Sequence, residues 1–299
     1  MGYLSQRKNH VRFNLLLNIV LISLAIVVLL PFILGSTAYL THVLSSYRFQ
    51  YYLISVALIA LSLYTRFSVH AILFLLVFLL NYFSISSNSN IFFNTTASNS
   101  QEIKIAYFNG MEDVDSVVEF AQHNNVEIIA LNRILPDAPA TNMQSYYDFH
   151  SRNKSSILAR TSLAGSGTIA LSPEYEASYV LYRTSIGNVI IMNIDFEGIS
   201  FTEKDIVLQN LGDFILRQYT PVVVVGDFGV STYSPAFKKF LIRTELSVKN
   251  RVILKDWGSI SEPPTINILG YSSIGIKEIT NLNKGFNQPA AFMFTLQVY

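Results

Sequence analysis

TPVVVVGDFGVSTYSPAFKKF, residues Thr220 to Phe240, is the stretch from which the fold can be read. A proline followed by four valines with no polar residue between them suits a strand covered on both faces. The strand delivers one carboxylate, Asp227, into a turn flanked by Gly226 and Gly229, and the residues from Ser234 onward lead into a helix. The simplest role for Asp227 on this pattern is to cap the turn after a buried strand.

Outward from that unit the chain alternates. IKIAYFN reads as a strand, Val114 to His123 as an amphipathic helix and VEIIALN as a second strand. SSILAR and GTIALS are expected to pair with each other, with the GSG at Gly165 to Gly167 as the turn between them. SYVLYRT and NVIIMNIDF form a hairpin around Gly187-Asn188. A helix from Thr202 to Gln218 opens with TEKD, which places acids in its first turn. About 200 residues of this alternation make a single-core α+β sandwich over residues 102–299.

The N-terminal third has another character. The whole chain is 51% hydrophobic and has a mean hydropathy of +0.36, too apolar for an ordinary soluble protein. After a basic N-terminus, residues 1–13, three transmembrane helices are expected within residues 14–85, at about 15–34, 50–65 and 68–84. Leu15 to Leu34 exceeds the length of a signal-peptide core and ends in no clear cleavage site. Arg7, Lys8 and Arg12 before the first run predict a cytoplasmic N-terminus, which three spans would follow with a C-terminal domain on the far side. His70 is expected at the membrane interface. Residues 86–101, rich in Ser and Asn, read as a polar linker.

Composition removes several function classes. With 21 basic residues against 20 acids and a net charge of +1, no nucleic-acid footprint is expected. The absence of cysteine excludes disulfides, thiolate nucleophiles and Cys-ligated zinc. Histidine stops at His150, and beyond Asp227 the acids are Glu245, Asp256, Glu262 and Glu278.

The order of segments resembles the endonuclease/exonuclease/phosphatase superfamily, specifically its membrane-anchored bacterial branch. AYFNG supplies Asn109 for that family's first motif, and EIIALNRI matches the second with Arg133 where the metal-binding Glu belongs. SSILART resembles the Ser-Arg strand, and IIMNIDF places Asp195 at a histidine position. VVVVGDFG keeps Asp227 but has Gly229 in place of the family's Asn. PPTINILG is similar to the Ile-Asp-His strand with Asn267 there, and KGFNQPAAF to the final Ser-Asp-His with Asn287 there.

The resemblance implies a four-layer α/β/β/α sandwich and a hard divalent cation polarising a water against phosphorus, with late histidines handling protons. The substitutions at Arg133, Gly229, Asn267 and Asn287 imply a site in which no catalytic residue is intact and no cofactor or metal is bound. The leading expectation is therefore a membrane-integral binding or assembly module at the cell envelope. Its candidate partners are another envelope protein or a phosphate- or sugar-bearing ligand in the old cleft, in a bacterial inner membrane with the domain periplasmic. The alternative is a rebuilt Mg- or Mn-dependent phosphodiester hydrolase, with Asp227 and Asn109 as ligands beside Asp195 and Glu197. Within the leading reading, the guanidinium of Arg133 should stand within reach of Asp227 or Asp195 in place of a cation.

Overall fold

The structure, a computed structural model, describes residues 2–34, 39–86, 100–110, 114–133, 148–152, 155–160, 163–250, 265–282 and 290–299. They fall into two compact units, one comprising Met1–Ser89 with Ser231–Lys238, the other Asn90–Val230 with Lys239–Asp256 and Pro264–Tyr299.

The first unit is helical: α1 (Gly2–Leu34), α2 (Tyr39–Ser46), α3 (Arg48–Tyr64) and α4 (Ser68–Ser86). Leu17, Leu24 and Val28 of α1 pack with Phe74 and Val77 of α4. Two polar contacts tie the helices: His70 Nε2 lies 3.0 Å from Asn18 Oδ1, and Asn81 Nδ2 donates to the Arg48 carbonyl at 2.6 Å. His70 is buried, with its Nε2 on Asn18 of α1. Thr41, Ser45, Ser55, Ser62 and Asn81 are buried, while Leu15, Ile19, Ile22, Ile26, Ile72, Leu76 and Leu80 are exposed.

The expectation of three spans is corrected to one candidate span. Val11–Pro31 is the single helix among the described residues long and apolar enough to cross a membrane. The apolar parts of α3 and α4, Gln50–Tyr64 and Ser68–Phe83, are shorter. At about 1.5 Å per residue they reach roughly 22–24 Å, less than the roughly 30 Å of a hydrocarbon core.

The second unit contains two six-stranded sheets. One runs in the order β11 (Ile274–Asn281), β12 (Ala290–Val298), β1 (Gln101–Asn109), β2 (Ile128–Asn132), β4 (Ser155–Ala159), β3 (Asp148–Arg152). The other runs β5 (Leu163–Ala170), β6 (Glu176–Thr184), β7 (Gly187–Asp195), β8 (Val222–Asp227), β10 (Ile266–Gly270), β9 (Ser247–Val248). Strand alternation sends Ile103, Ile105, Tyr107, Ile128, Ala130, Val189, Ile191, Val223, Val225 and Ile268 into one core between the sheets. The opposite face of the first sheet, through Ala106, Phe108, Ile129 and Leu131, packs on Val117, Val118 and Ala121 of α5 (Val114–His123). Helices α6 (Phe201–Leu216) and α7 (Pro235–Thr244) complete the domain, with Phe240 and Thr244 lying beside Gly212 of α6. The two-sheet α/β sandwich expected is present.

One pairing differs from expectation. SSILA forms β4 between β2 and β3, whereas GTIA belongs to β5 and pairs with β6 in the other sheet. The chain changes sheets between the two strands, and the GSG lies inside β5, where Gly167 accommodates the Tyr179 ring. Strand β11, pairing with β12, has no counterpart in the sequence reading.

Candidate functional site

The parallel pairs β1/β2 and β7/β8 end level with each other: Asn109 is in register with Asn132, and Asp195 with Asp227. Period-two alternation fixes where these side chains face. Asn109 shares its face with Tyr107, Asn132 with Ala130, Asp195 with Ile191 and Asp227 with Val225, all of which border the space between the sheets. Four polar residues therefore close one end of the inter-sheet core, all of them buried.

Each aspartate is held by its own turn. Asp195 Oδ1 accepts from the Glu197 N–H at 3.2 Å, and Asp227 Oδ1 accepts from the Gly229 N–H at 2.8 Å. This is the Asx arrangement, in which a side chain two residues back substitutes for a backbone acceptor. It is the capping role expected of Asp227. The second oxygens face a cation: Arg133 Nε is 3.5 Å from Asp195 Oδ2, and Arg133 Nη2 is 3.6 Å from Asp227 Oδ2. The same Nη2 forms an ion pair with Glu197, which lies toward solvent. Arg133 itself sits at φ +59°, a left-handed conformation uncommon for a side chain of this kind.

Gly229 answers why no amide follows Asp227. Its φ is +59°, which an asparagine tolerates. A Cβ at this position would lie 2.1 Å from the Phe196 carbonyl oxygen and 2.9 Å from Ile199 Cγ2, which nothing but glycine avoids without moving backbone.

Behind the ions lies a set of buried amides. Asn132 Nδ2 donates to Tyr107 Oη at 3.0 Å and across the sheets to the Ile194 carbonyl at 2.9 Å. Asn193 Nδ2 returns the tie, donating to the carbonyls of Leu131 at 2.9 Å and Ser156 at 3.0 Å. Because each NH₂ faces carbonyl oxygen, the orientation of both amides is determined, and among the described residues Oδ1 of each is left without a hydrogen-bond partner, as is Oδ1 of Asn109. Burial, reinforced by Asp227 and Asp195, raises the Tyr107 phenol well above its ordinary pKa, so it is a neutral hydroxyl.

The structure thus brings together Asn109, Arg133, Asp195 and Asp227, with Gly229 shaping the turn beside them. It does not bring Asn267 to the same face. Ile266 and Ile268 border the inter-sheet core, so alternation directs Asn267 to the other side of β10, where its Nδ2 bonds the Thr265 carbonyl at 3.1 Å. Asn287 lies outside the described residues. Sequence reasoning did not single out Tyr107, Asn132 and Asn193. Tyr107 and Asn193 stand two residues before Asn109 and Asp195 on the same strand faces, a parity signal that could have found them.

No protein-family model matches the sequence, and no curated protein does. Solved structures are similar in fold. An endonuclease/exonuclease/phosphatase family protein from Bacteroides thetaiotaomicron superposes with a TM-score of 0.51 at 12% identity, over 67% of this chain and 99% of that one. A second, from Bacteroides vulgatus, gives 0.51 at 13% identity over 66% and 98%. The human Nocturnin catalytic domain with bound sulfate gives 0.50 at 14% over 67% and 97%. The domain has the endonuclease/exonuclease/phosphatase fold.

The resemblance to this fold's phosphodiesterases implies a divalent cation, and both aspartates here are already engaged. One oxygen of each aspartate is occupied by a backbone N–H, a guanidinium stands against both second oxygens, and position 229 has no side chain. A cation approaching these carboxylates meets a charge of its own sign.

Proposed function

We propose that this chain is a membrane-anchored protein whose endonuclease/exonuclease/phosphatase-like domain no longer hydrolyses phosphodiesters and serves as a binding or assembly module at the cell envelope. The observation that carries this reading is the position of Arg133, whose guanidinium lies within ion-pair distance of Asp195, Asp227 and Glu197. A tethered cation there substitutes for a diffusible one and supplies neither a Lewis acid nor an activated water. Fold similarity does not argue against it, because function resides in the site and not in the scaffold.

Anchoring rests on Val11–Pro31 and on the many apolar side chains that the helical unit exposes, among them Leu15, Ile19, Ile22, Ile26, Ile72, Leu76 and Leu80. Arg7, Lys8 and Arg12 favour a cytoplasmic N-terminus, so that one span leaves the domain on the far side. A cell-surface or periplasmic protease accessibility assay tests this: digestion of the domain in intact spheroplasts is expected, and its protection would reverse the orientation.

The catalytic half of the proposal is tested by calorimetric titration of the full chain in detergent with Mg²⁺ and Mn²⁺, beside a phosphodiester hydrolysis assay. Absence of stoichiometric binding and of turnover is the expected result. Metal-dependent turnover abolished by Asp227→Ala would establish instead a hydrolase rebuilt around different ligands.

A further inference from the structure

The basic residues of the helical unit gather at one end of it. Residues 1–101 contain Arg7, Lys8, Arg12, Arg48 and Arg66 and no Asp or Glu, the first acid being Glu102. Two contacts fix where Arg66 stands. The Phe67 ring lies 5.8 Å from that of Phe13, and farther along both helices His70 meets Asn18. α1 and α4 therefore advance side by side, and the turn that joins α3 to α4 lies level with the first residues of the candidate span Val11–Pro31. Arg12 and Arg66 each immediately precede a ring of the Phe13–Phe67 pair, and both are exposed. Arg7 and Lys8 precede them on α1, which leaves Arg48 alone at the opposite end of α3.

The turn itself suits a membrane boundary. Its N–H groups are satisfied within the hairpin: Thr65 donates to the Leu61 carbonyl at 3.0 Å, Arg66 to Leu63 at 3.1 Å and Phe67 to Ser62 at 2.8 Å. The Thr65 hydroxyl adds a bond to the Leu61 carbonyl at 2.7 Å. A turn closed in this way leaves few backbone groups that need water. It is a helix ending whose left-handed position ordinarily holds glycine. Arg66 occupies that position at φ +63° and accepts a strain that glycine would not. What the arginine adds is a guanidinium on a long stem, which carries charge past the apolar helices. That stem also makes up part of the roughly 6–8 Å by which the apolar parts of α3 and α4 fall short of a hydrocarbon core.

We propose that Arg12 and Arg66, with Arg7 and Lys8 beside them, form a site for the phosphate of an anionic phospholipid on the membrane face where α1 enters. This rests on the membrane-anchored reading above. With no carboxylate in the first 101 residues, the counter-charge for this end comes from outside that segment, and headgroup phosphates lie at the depth the span assigns to it. Guanidinium matches phosphate in a bidentate fashion. Basic residues at the edge of a span are also drawn to an anionic leaflet, each adding to the attraction.

The test is native mass spectrometry of the full chain in detergent, titrated with phosphatidylglycerol and, separately, with phosphatidylcholine. Saturable retention of phosphatidylglycerol, several-fold tighter than that of phosphatidylcholine, is expected. Arg66→Gly suits the left-handed turn better than arginine does, so a folding defect would not account for a loss of binding. It should weaken phosphatidylglycerol binding about fivefold, the effect of one basic residue at an anionic surface. Arg12→Gln should do likewise, and the two together should weaken it roughly 25-fold. Equal retention of the two lipids, or phosphatidylglycerol binding indifferent to Arg66→Gly, would overturn the proposal. Release of the chain from membranes by alkaline carbonate would overturn the anchored reading itself, whereas a chain that stays in the membrane and does not distinguish the two lipids would overturn only the headgroup site.

Discussion

Replacing Arg133 by alanine removes from a group of three carboxylates the cation that, among the described residues, pairs with all of them. At 3.5 and 3.6 Å from Asp195 and Asp227, each pair is worth about 4–5 kcal/mol of Coulomb attraction at an effective dielectric constant near 20. That overstates the loss, because the Arg133 side chain is 32% exposed and solvent takes over part of its role. The aspartates, at 1% and 7% exposure, cannot rehydrate to the same extent. Breaking a buried pair by removing one partner costs about 3–5 kcal/mol. Discounted for exposure, the expected destabilisation is about 2–3 kcal/mol, or roughly 4–12 °C in Tm for a domain of this size. Mn²⁺ should stabilise the variant and not the wild type, by about 2.7 kcal/mol at 100 times its Kd. The assay is thermal unfolding of both proteins in detergent, with and without Mn²⁺. Equal stability at neutral pH, or equal stabilisation by Mn²⁺, would refute the idea that Arg133 substitutes for a cation.

Gly229→Asn, which writes the family amide back, is expected to cost about 2–4 kcal/mol in a urea titration, because its Cβ meets the Phe196 carbonyl oxygen. It should confer no Mg²⁺ binding while Arg133 is present. Asn132→Leu removes the donor to both Tyr107 and the Ile194 carbonyl and should cost about 2–4 kcal/mol by the same titration, as expected when buried acceptors lose their donor. Burial lowers the Lys249 pKa to about 8, so the folded state disfavours its charged form. The stability this side chain contributes is then present above the unfolded pKa near 10.5 and lost as pH falls through 8. Lys249→Met should accordingly be more stable than wild type at pH 7, the difference narrowing between pH 8 and pH 10.5, as read from paired melts across that range.

The frame of the domain is legible in the sequence because local chemistry and tertiary role agree there. The valine run of β8 is apolar at every position and is buried at every position. α5 and α6 begin and end within about two residues of the limits set by their hydrophobic spacing. The misreadings arise where a local signal is weak. Between β4 and β5 nothing in ARTSLAG announces a change of sheet, and a two-glycine segment that looks like a turn is extended in its pairing with β6. β11 carries Lys277 and Glu278 within a polar stretch, and its pairing comes from β12. For the helices, apolar composition alone overstated the number of spans, because length decides that question and α3 and α4 are the shorter ones.

The site was legible by residue type at Arg133, Asp195 and Asp227, but its construction depends on backbone approach, which no side-chain pattern encodes. The Phe196 N–H donates to the Asp227 carbonyl at 2.7 Å, and the Phe196 carbonyl oxygen occupies the place a Cβ on residue 229 would need. The turn after β7 is therefore drawn against the turn after β8, and it can come this close only because residue 229 is glycine. The same turn carries Glu197, fixed by its N–H on Asp195, into position to meet Arg133. The missing amide and the added guanidinium are accordingly two consequences of one packing arrangement. An asparagine at 229 would push away the segment that supplies Arg133 with its outer partner. An arginine at 133 without that segment would face two buried aspartates with no outward anchor. Restoring either family residue singly should be worse than leaving both as they are, since residues sharing one backbone contact do not contribute independently.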